Sequence, residues 1–131
     1  MILGIGLDLC DIGRMERAIE SDHFVDRVFT AAEADRLRRA APPRRGQMAA
    51  GLFAAKEAVA KALGTGFDGF GPWDIEITPD ASGRPVCALK DGALERARAL
   101  GGDGMRVWVS ITHEQGTAAA TAIAEGGPRG D

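Results

Sequence analysis

The chain opens on a run of Met, Ile and Leu, Met1–Leu9, broken only by Gly4, Gly6 and Asp8. It reads as a strand. The glycines leave one face bare, where another backbone or a ligand can approach closely. Asp8 ends the run, and a carboxylate among Ile5, Leu7, Leu9 and Ile12 is costly to bury unpaired, so a cation is its natural partner. Asp11 is better placed as a cap, and the spacing predicts a short helix over Asp11–Glu20 carrying Arg14 and Arg17 outward. Thr30 and Glu33 form a capping box that opens a helix to about Ala40, with Asp35 one turn in. Pro42-Pro43 breaks that helix. A long helix over about residues 46–63 follows and stops at Gly64. Within it, Phe53–Gly64 is almost wholly apolar, with Lys56, Glu57 and Lys61 its only charges. Glu57 and Lys61, four apart, share one helical face, while Lys56 points to a neighbouring one. So greasy a helix is packed on several sides, with its ionisable groups aimed at something.

Beyond Gly64 the rhythm changes. Gly64–Pro72 is a glycine-rich loop, and Trp73–Thr78 alternates as a strand with Ile75 and Ile77 on one face. Pro79–Gly83 is a turn and Pro85–Leu89 the returning strand of a hairpin. Asp91–Leu100 predicts a helix, Arg106–His113 a strand, Glu114–Gly116 a turn and Thr117–Ala124 a strand of small residues. The pattern predicts an α+β protein, a mainly antiparallel sheet packed against a long central helix. It predicts a single domain over residues 1–125, with a frayed tail over 126–131.

Composition narrows the function classes. The 131 residues suffice for one domain with a real core. A net charge of -3 gives no basic balance for nucleic acid, although Arg36, Arg38, Arg39, Arg44 and Arg45 cluster. No apolar run reaches the ~18 residues of a membrane span. Asp8 and Asp11 spoil the N-terminus as a secretory signal. Cys10 and Cys87 lack metal-ligand spacing, and two free thiols in a cytoplasmic protein is the expected state.

The candidate chemistry lies with Asp8 and Glu57, two carboxylates from different elements in apolar surroundings. Mg²⁺ takes one or two carboxylates and completes its shell with water and substrate phosphates. Lys61, Arg44 and Arg45, with backbone N–H groups near Gly64–Gly66, could neutralise a phosphate. Each has a duller explanation alone: Glu57–Lys61 as a solvated helix pair, His113 as a turn residue, the arginines as a wet face.

Six ordered motifs sharpen the reading. They are Gly4-Ile-Gly-Leu-Asp8, Phe29-Thr-x-x-Glu33, Phe53-Ala-Ala-Lys-Glu-Ala with Lys61-Ala-Leu-Gly-Thr-Gly66, Asp74-Ile-Glu-Ile77, Gly83-Arg-Pro85 and Ser110-Ile-Thr-His113. Together they resemble the short, bacterial type of 4′-phosphopantetheinyl transferase, the holo-[acyl-carrier-protein] synthases, over about residues 2–124. The resemblance implies transfer of 4′-phosphopantetheine from coenzyme A to a serine of an apo acyl carrier protein, releasing adenosine 3′,5′-bisphosphate. It implies Mg²⁺ held by Asp8 and Glu57, and Lys61 steadying the leaving phosphate. The base it implies is Glu57, directly or through a metal-bound water, or Asp35, and the preferred reading is a water held by Asp35 or by the metal. Arg45, Lys61, Gly64, Thr65, Pro85 and His113 fall in segments resembling the coenzyme A cleft, with His113 at the adenosine end. Arg14 matches a position that docks the acidic carrier, assisted by Arg17 and Arg27. The resemblance also implies a homotrimer with shared active sites, in which the small-residue strand and the glycine-rich first strand suit close packing between subunits.

Two positions depart from the family pattern. Leu52 stands where the family usually has Arg, and a Tyr common near Thr117 is absent. The first lowers coenzyme A affinity or is compensated by Arg44 and Arg45. Two other readings are weaker: a non-catalytic trimer that binds coenzyme A or a carrier, supported only by Leu52, and a nucleic-acid domain, which lacks interleaved aromatics.

Overall fold

In the computed structural model, which describes residues 1–127, the chain runs β1 (Ile2–Asp11), α1 (Ile12–Ala18), α2 (Asp22–Val28), α3 (Ala31–Arg39) and α4 (Pro42–Ala62). A 3₁₀ turn (Pro72–Asp74), β2 (Ile75–Pro79), β3 (Pro85–Leu89), α5 (Asp91–Gly101), β4 (Arg106–Glu114) and β5 (Thr117–Glu125) follow. The architecture is α+β and antiparallel throughout, as the sequence pattern predicts. The strands form two sheets rather than one: β1-β5-β4, with β5 in the middle, and the hairpin β2-β3.

The 21-residue α4 is the centre of the core. Its alanines keep its girth small, and Ala49, Ala50, Ala54, Ala55, Ala58 and Val59 have no exposed surface. The larger sheet lies directly on it. A Cβ placed on Gly6 would fall on the carbonyl oxygen of Ala58, and one on Gly4 would fall on that of Ala62. The bare face of the first strand is therefore filled by the backbone of α4. Ala118, Ala120, Ala122 and Ala124 of β5 are buried in the same layer. Every second small residue of β5 thus brings sheet and helix together within one chain, a use the sequence reading did not include. A Gly6→Ala substitution should force β1 off α4 and cost about 1–3 kcal/mol or more. An unchanged urea midpoint would show that the contact is softer than it looks.

Local chemistry accounts for the remaining elements. Asp11 caps α1 by accepting from the N–H of Arg14 at 2.9 Å. Both halves of the predicted capping box at Thr30 and Glu33 form. The hairpin between β4 and β5 turns on Gln115 and Gly116, with φ of 47° and 85°, the sign that a two-residue primed turn requires. Four boundaries differ from expectation. β1 does not end at Asp8 but pairs with β5 as far as Asp11. α2, capped by Ser21, was not anticipated. Pro42 and Pro43 begin α4 at its first positions, where the missing N–H costs nothing. Trp73 and Asp74 form a 3₁₀ turn before β2. Within the expected frayed tail, the N–H of Gly126 donates to the carbonyl of Met1 at 2.8 Å; residues 128–131 of that tail lie outside the described residues.

Lys56 is fully buried, where the sequence placed it only on a neighbouring face. Its ammonium pairs with Glu33 at 2.7 Å and donates to the carbonyls of Pro72, at 2.9 Å, and Ile75. Glu33 also accepts from the N–H of Thr30 at 2.8 Å and of Ile77 at 2.7 Å. One carboxylate thus joins α3, α4 and β2. Burial holds the lysine's pKa below its ordinary value, opposed by the attraction of Glu33.

Candidate active site

Asp8 sits on the half-buried stretch of β1 opposite Ala120, and Glu57 and Lys61 project from the last turns of α4. The contact of β1 on α4 brings the three together. Lys61 Nζ donates to Asp8 Oδ1 at 3.0 Å and to the carbonyl of Leu7 at 2.9 Å. Asp8 therefore has the cationic neighbour that its surroundings demanded. Glu57 has its pKa raised, first by burial and then by the charge of Asp8, with Lys61 opposing. Two hard oxygen donors close enough to repel each other, beside one ammonium, form a pair that a divalent cation would relieve. The donor set fits Mg²⁺, which takes one or two carboxylates and leaves its other positions to water and phosphate. Among the described residues no third His, Cys, Asp or Glu joins to make an all-protein cage, so the remaining ligands would come from water and substrate.

A second feature lies on another face of α4. Leu52 and Glu57, five residues apart, point about 140° from each other around the helix. Leu52, Met48 and Gly51 floor a groove of about 410 Å³ walled by the β2–β3 hairpin and by Ile111 and His113 of β4. Its ionisable lining is Arg36, Arg44 and His113, with no carboxylate. Pro85 and Ile77 supply flat apolar walls. Of the expected coenzyme A residues, Pro85 and His113 line this groove. Arg36, on α3, was missed as a member of it; the signal was its place in the arginine cluster, which sequence alone reads as a wet face.

The other expected site residues fall elsewhere. Arg45 bonds the carbonyls of Leu37 and Ala40, both at 2.9 Å, and so closes the end of α3; Arg44, not Arg45, faces the groove. Gly64, with φ of 88°, turns the chain out of α4, and Thr65 donates to the carbonyl of Gly66 at 3.0 Å. Both lie within four residues of Lys61 along the chain. Asp35 is exposed on α3 and pairs with Arg39 at 3.1 Å. Arg14 and Arg17 on α1 and Arg27 on α2 are exposed. Both cysteines are free, and burial pushes the Cys87 thiol up to about 12, which leaves it inert at neutral pH.

A carboxylate pair fixed by strand and helix, with a lysine one turn on, is chemically able to take a divalent cation together with a phosphate. The chain belongs to the 4′-phosphopantetheinyl transferase superfamily, whose family model matches residues 4–122. Within it, the similarity is to holo-[acyl-carrier-protein] synthases. The protein of that name from Solidesulfovibrio magneticus is 47% identical over 129 residues, covering 96% of this chain and 100% of that one. The crystal structure of the Neisseria meningitidis synthase aligns with a TM-score of 0.82 at 34% identity, covering 95% of this chain and 99% of that one. The synthase from Bacillus anthracis, solved in complex with CoA (3′,5′-ADP), aligns at 0.80 and 31%, covering 96% and 98%. No helix among the described residues is long and apolar enough to cross a membrane.

Proposed function

We propose that this protein transfers 4′-phosphopantetheine from coenzyme A to a serine hydroxyl of an apo acyl carrier protein, giving the holo carrier and adenosine 3′,5′-bisphosphate. The observation that carries the reading is the meeting of Asp8, Glu57 and Lys61 at the crossing of β1 and α4, on a chain similar over nearly its whole length to synthases of that name. In the reaction the serine oxygen forms a bond to the phosphorus next to the pantetheine. The bond from that phosphorus to the bridging oxygen breaks, and the hydroxyl proton passes to a base. Asp8 and Glu57 would hold Mg²⁺, which supplies charge compensation on the pyrophosphate. Lys61 steadies the leaving phosphate. The base would be a water held by the metal or by Asp35, which in this chain stands apart on α3 and would have to reach the site across a subunit boundary; Glu57 is passed over because a carboxylate committed to a metal is a poor base.

The carrier would dock on the exposed Arg14, Arg17 and Arg27, whose charge suits a strongly acidic partner. Coenzyme A would pass Lys61, Gly64 and Thr65 and lay its adenosine in the groove of Pro85 and His113, with Arg45 fixing the end of α3 nearby. The groove and the carboxylate pair occupy different faces of α4, which suits a site shared between subunits. A homotrimer is supported by the outer face of the large sheet. Ile5, Leu7 and Leu9 are 67%, 58% and 66% exposed there, with Trp108 on the same face, an apolar area that a lone subunit would leave in water. A single domain over 1–125 and a cytoplasmic location agree with this reading.

The test is mass spectrometry of an apo acyl carrier protein incubated with the protein, coenzyme A and Mg²⁺. A phosphopantetheine-sized gain that disappears with chelator is expected. No gain with several carriers while coenzyme A still binds would sink transfer and favour a binding module.

A further inference from the structure

The sequence offered Arg44 and Arg45 as replacements for the arginine that Leu52 lacks, but the structure uses Arg45 to close α3. The groove holds two guanidinium groups, those of Arg44 and Arg36, which come from different helices. Arg36 is half-buried at the groove wall. Its long contact to the carbonyl of Ile77, 3.4 Å, leaves most of its five donors uncommitted. Three ionisable side chains without a carboxylate, over an apolar floor, make a lining that favours a multiply charged anion carrying a flat apolar group.

Coenzyme A carries phosphate in two places. The pyrophosphate is the reacting group and belongs with Asp8, Glu57 and Lys61. That leaves the 3′-phosphate of the ribose, beside the adenine, for a cationic groove on another face of the helix. We infer that Arg36 is a specificity-determining residue that binds the ribose 3′-phosphate of coenzyme A, opposite Arg44, and so supplies from α3 the charge that Leu52 does not supply from α4. This rests on the proposed transferase reading. It adds a residue from outside the six motifs to substrate recognition. It also separates recognition of the substrate from its chemistry: the 3′-phosphate takes no part in bond making or breaking, so its guanidinium partner acts on affinity.

The experiment measures binding of coenzyme A and of 3′-dephospho-coenzyme A by calorimetry, for the parent, Arg36→Gln and Arg36→Lys, with turnover on an apo carrier alongside. The parent should prefer coenzyme A. Arg36→Gln should shrink that preference roughly tenfold, the scale of one charge-assisted contact, by weakening coenzyme A and leaving the dephospho compound unaffected. Arg36→Lys should recover part of it, and kcat should change less than KM. A purely structural role, holding α3 to β2 through Ile77, would weaken both ligands together and lower the thermal midpoint; that result overturns the inference. So does a parent that transfers the group but binds both ligands equally, or an Arg36→Gln variant with an unchanged preference. A parent that neither binds coenzyme A nor transfers overturns the function reading itself, and this inference with it.

Discussion

A Glu57→Gln variant should fold at least as well as the parent and lose transfer by about 10²- to 10³-fold or more. The two halves of this expectation have one cause. Glu57 is half-buried and faces Asp8, so its carboxyl is held above the ordinary value of 4.5. A carboxyl raised on folding binds its proton more tightly in the folded chain. Its favourable contribution is complete below about 4.5 and is lost as pH rises through the raised value. At neutral pH the ionised side chain therefore works against stability. Glutamine keeps the shape and removes the charge, so urea midpoints of parent and variant should be close at acid pH and diverge in the variant's favour toward neutral. Mg²⁺ should raise the melting temperature of the parent and not of the variant. A variant that is less stable than the parent, and inactive only in proportion, would make Glu57 a structural residue.

The second large effect lies one residue away. Lys56→Met should cost about 3–5 kcal/mol, because it leaves the Glu33 carboxylate charged, buried and short of its cation. The measurement is a urea titration, with Glu33→Gln/Lys56→Met as comparison. The double variant removes both charges and should recover much of the loss. Recovery should be incomplete, because glutamine is a weaker acceptor for the N–H groups of Thr30 and Ile77 that Glu33 now binds. A single variant within about 1 kcal/mol of the parent would mean that water reaches the pair, contrary to its complete burial.

These neighbours show where sequence reading succeeds. The cap at Asp11, the box at Thr30 and Glu33 and the turn at Gln115-Gly116 are local devices, decided by residues within four of each other. Asp8 was legible as a carboxylate in search of a cation, because burial without a partner is costly whatever the fold. The roles of Lys56 and Glu33 were not legible, since their partners lie 23 residues apart and only tertiary packing excludes water from both. Arg36, Arg44 and Arg45 read alike in the chain; their different tasks come from the angle at which α3 meets α4. Ser21 capping Phe24 at 3.2 Å was available as a signal for α2, but seven residues with two buried valines give a weak periodicity. In the sequence Pro42-Pro43 reads as a stop, because a missing N–H is tolerated just past a helix end as well as at a helix start, and only the chain that follows decides between the two.

The buried lysine also has a bearing on how α4 is oriented. Successive residues on a helix differ by about 100° in direction, so Lys56 can point to Glu33 and Glu57 to Asp8 only at one setting of the cylinder about its long axis. A smooth shaft of alanines has little to prevent it from rolling beneath the sheet. The ammonium of Lys56, seated on Glu33 and two carbonyls, acts as a keyway. Residues with no part in the chemistry fix the azimuth at which the reacting carboxylate is presented. An insertion of one residue between Lys56 and Glu57 would leave composition, helicity and hydrophobicity nearly unchanged and turn the acid away from its partner.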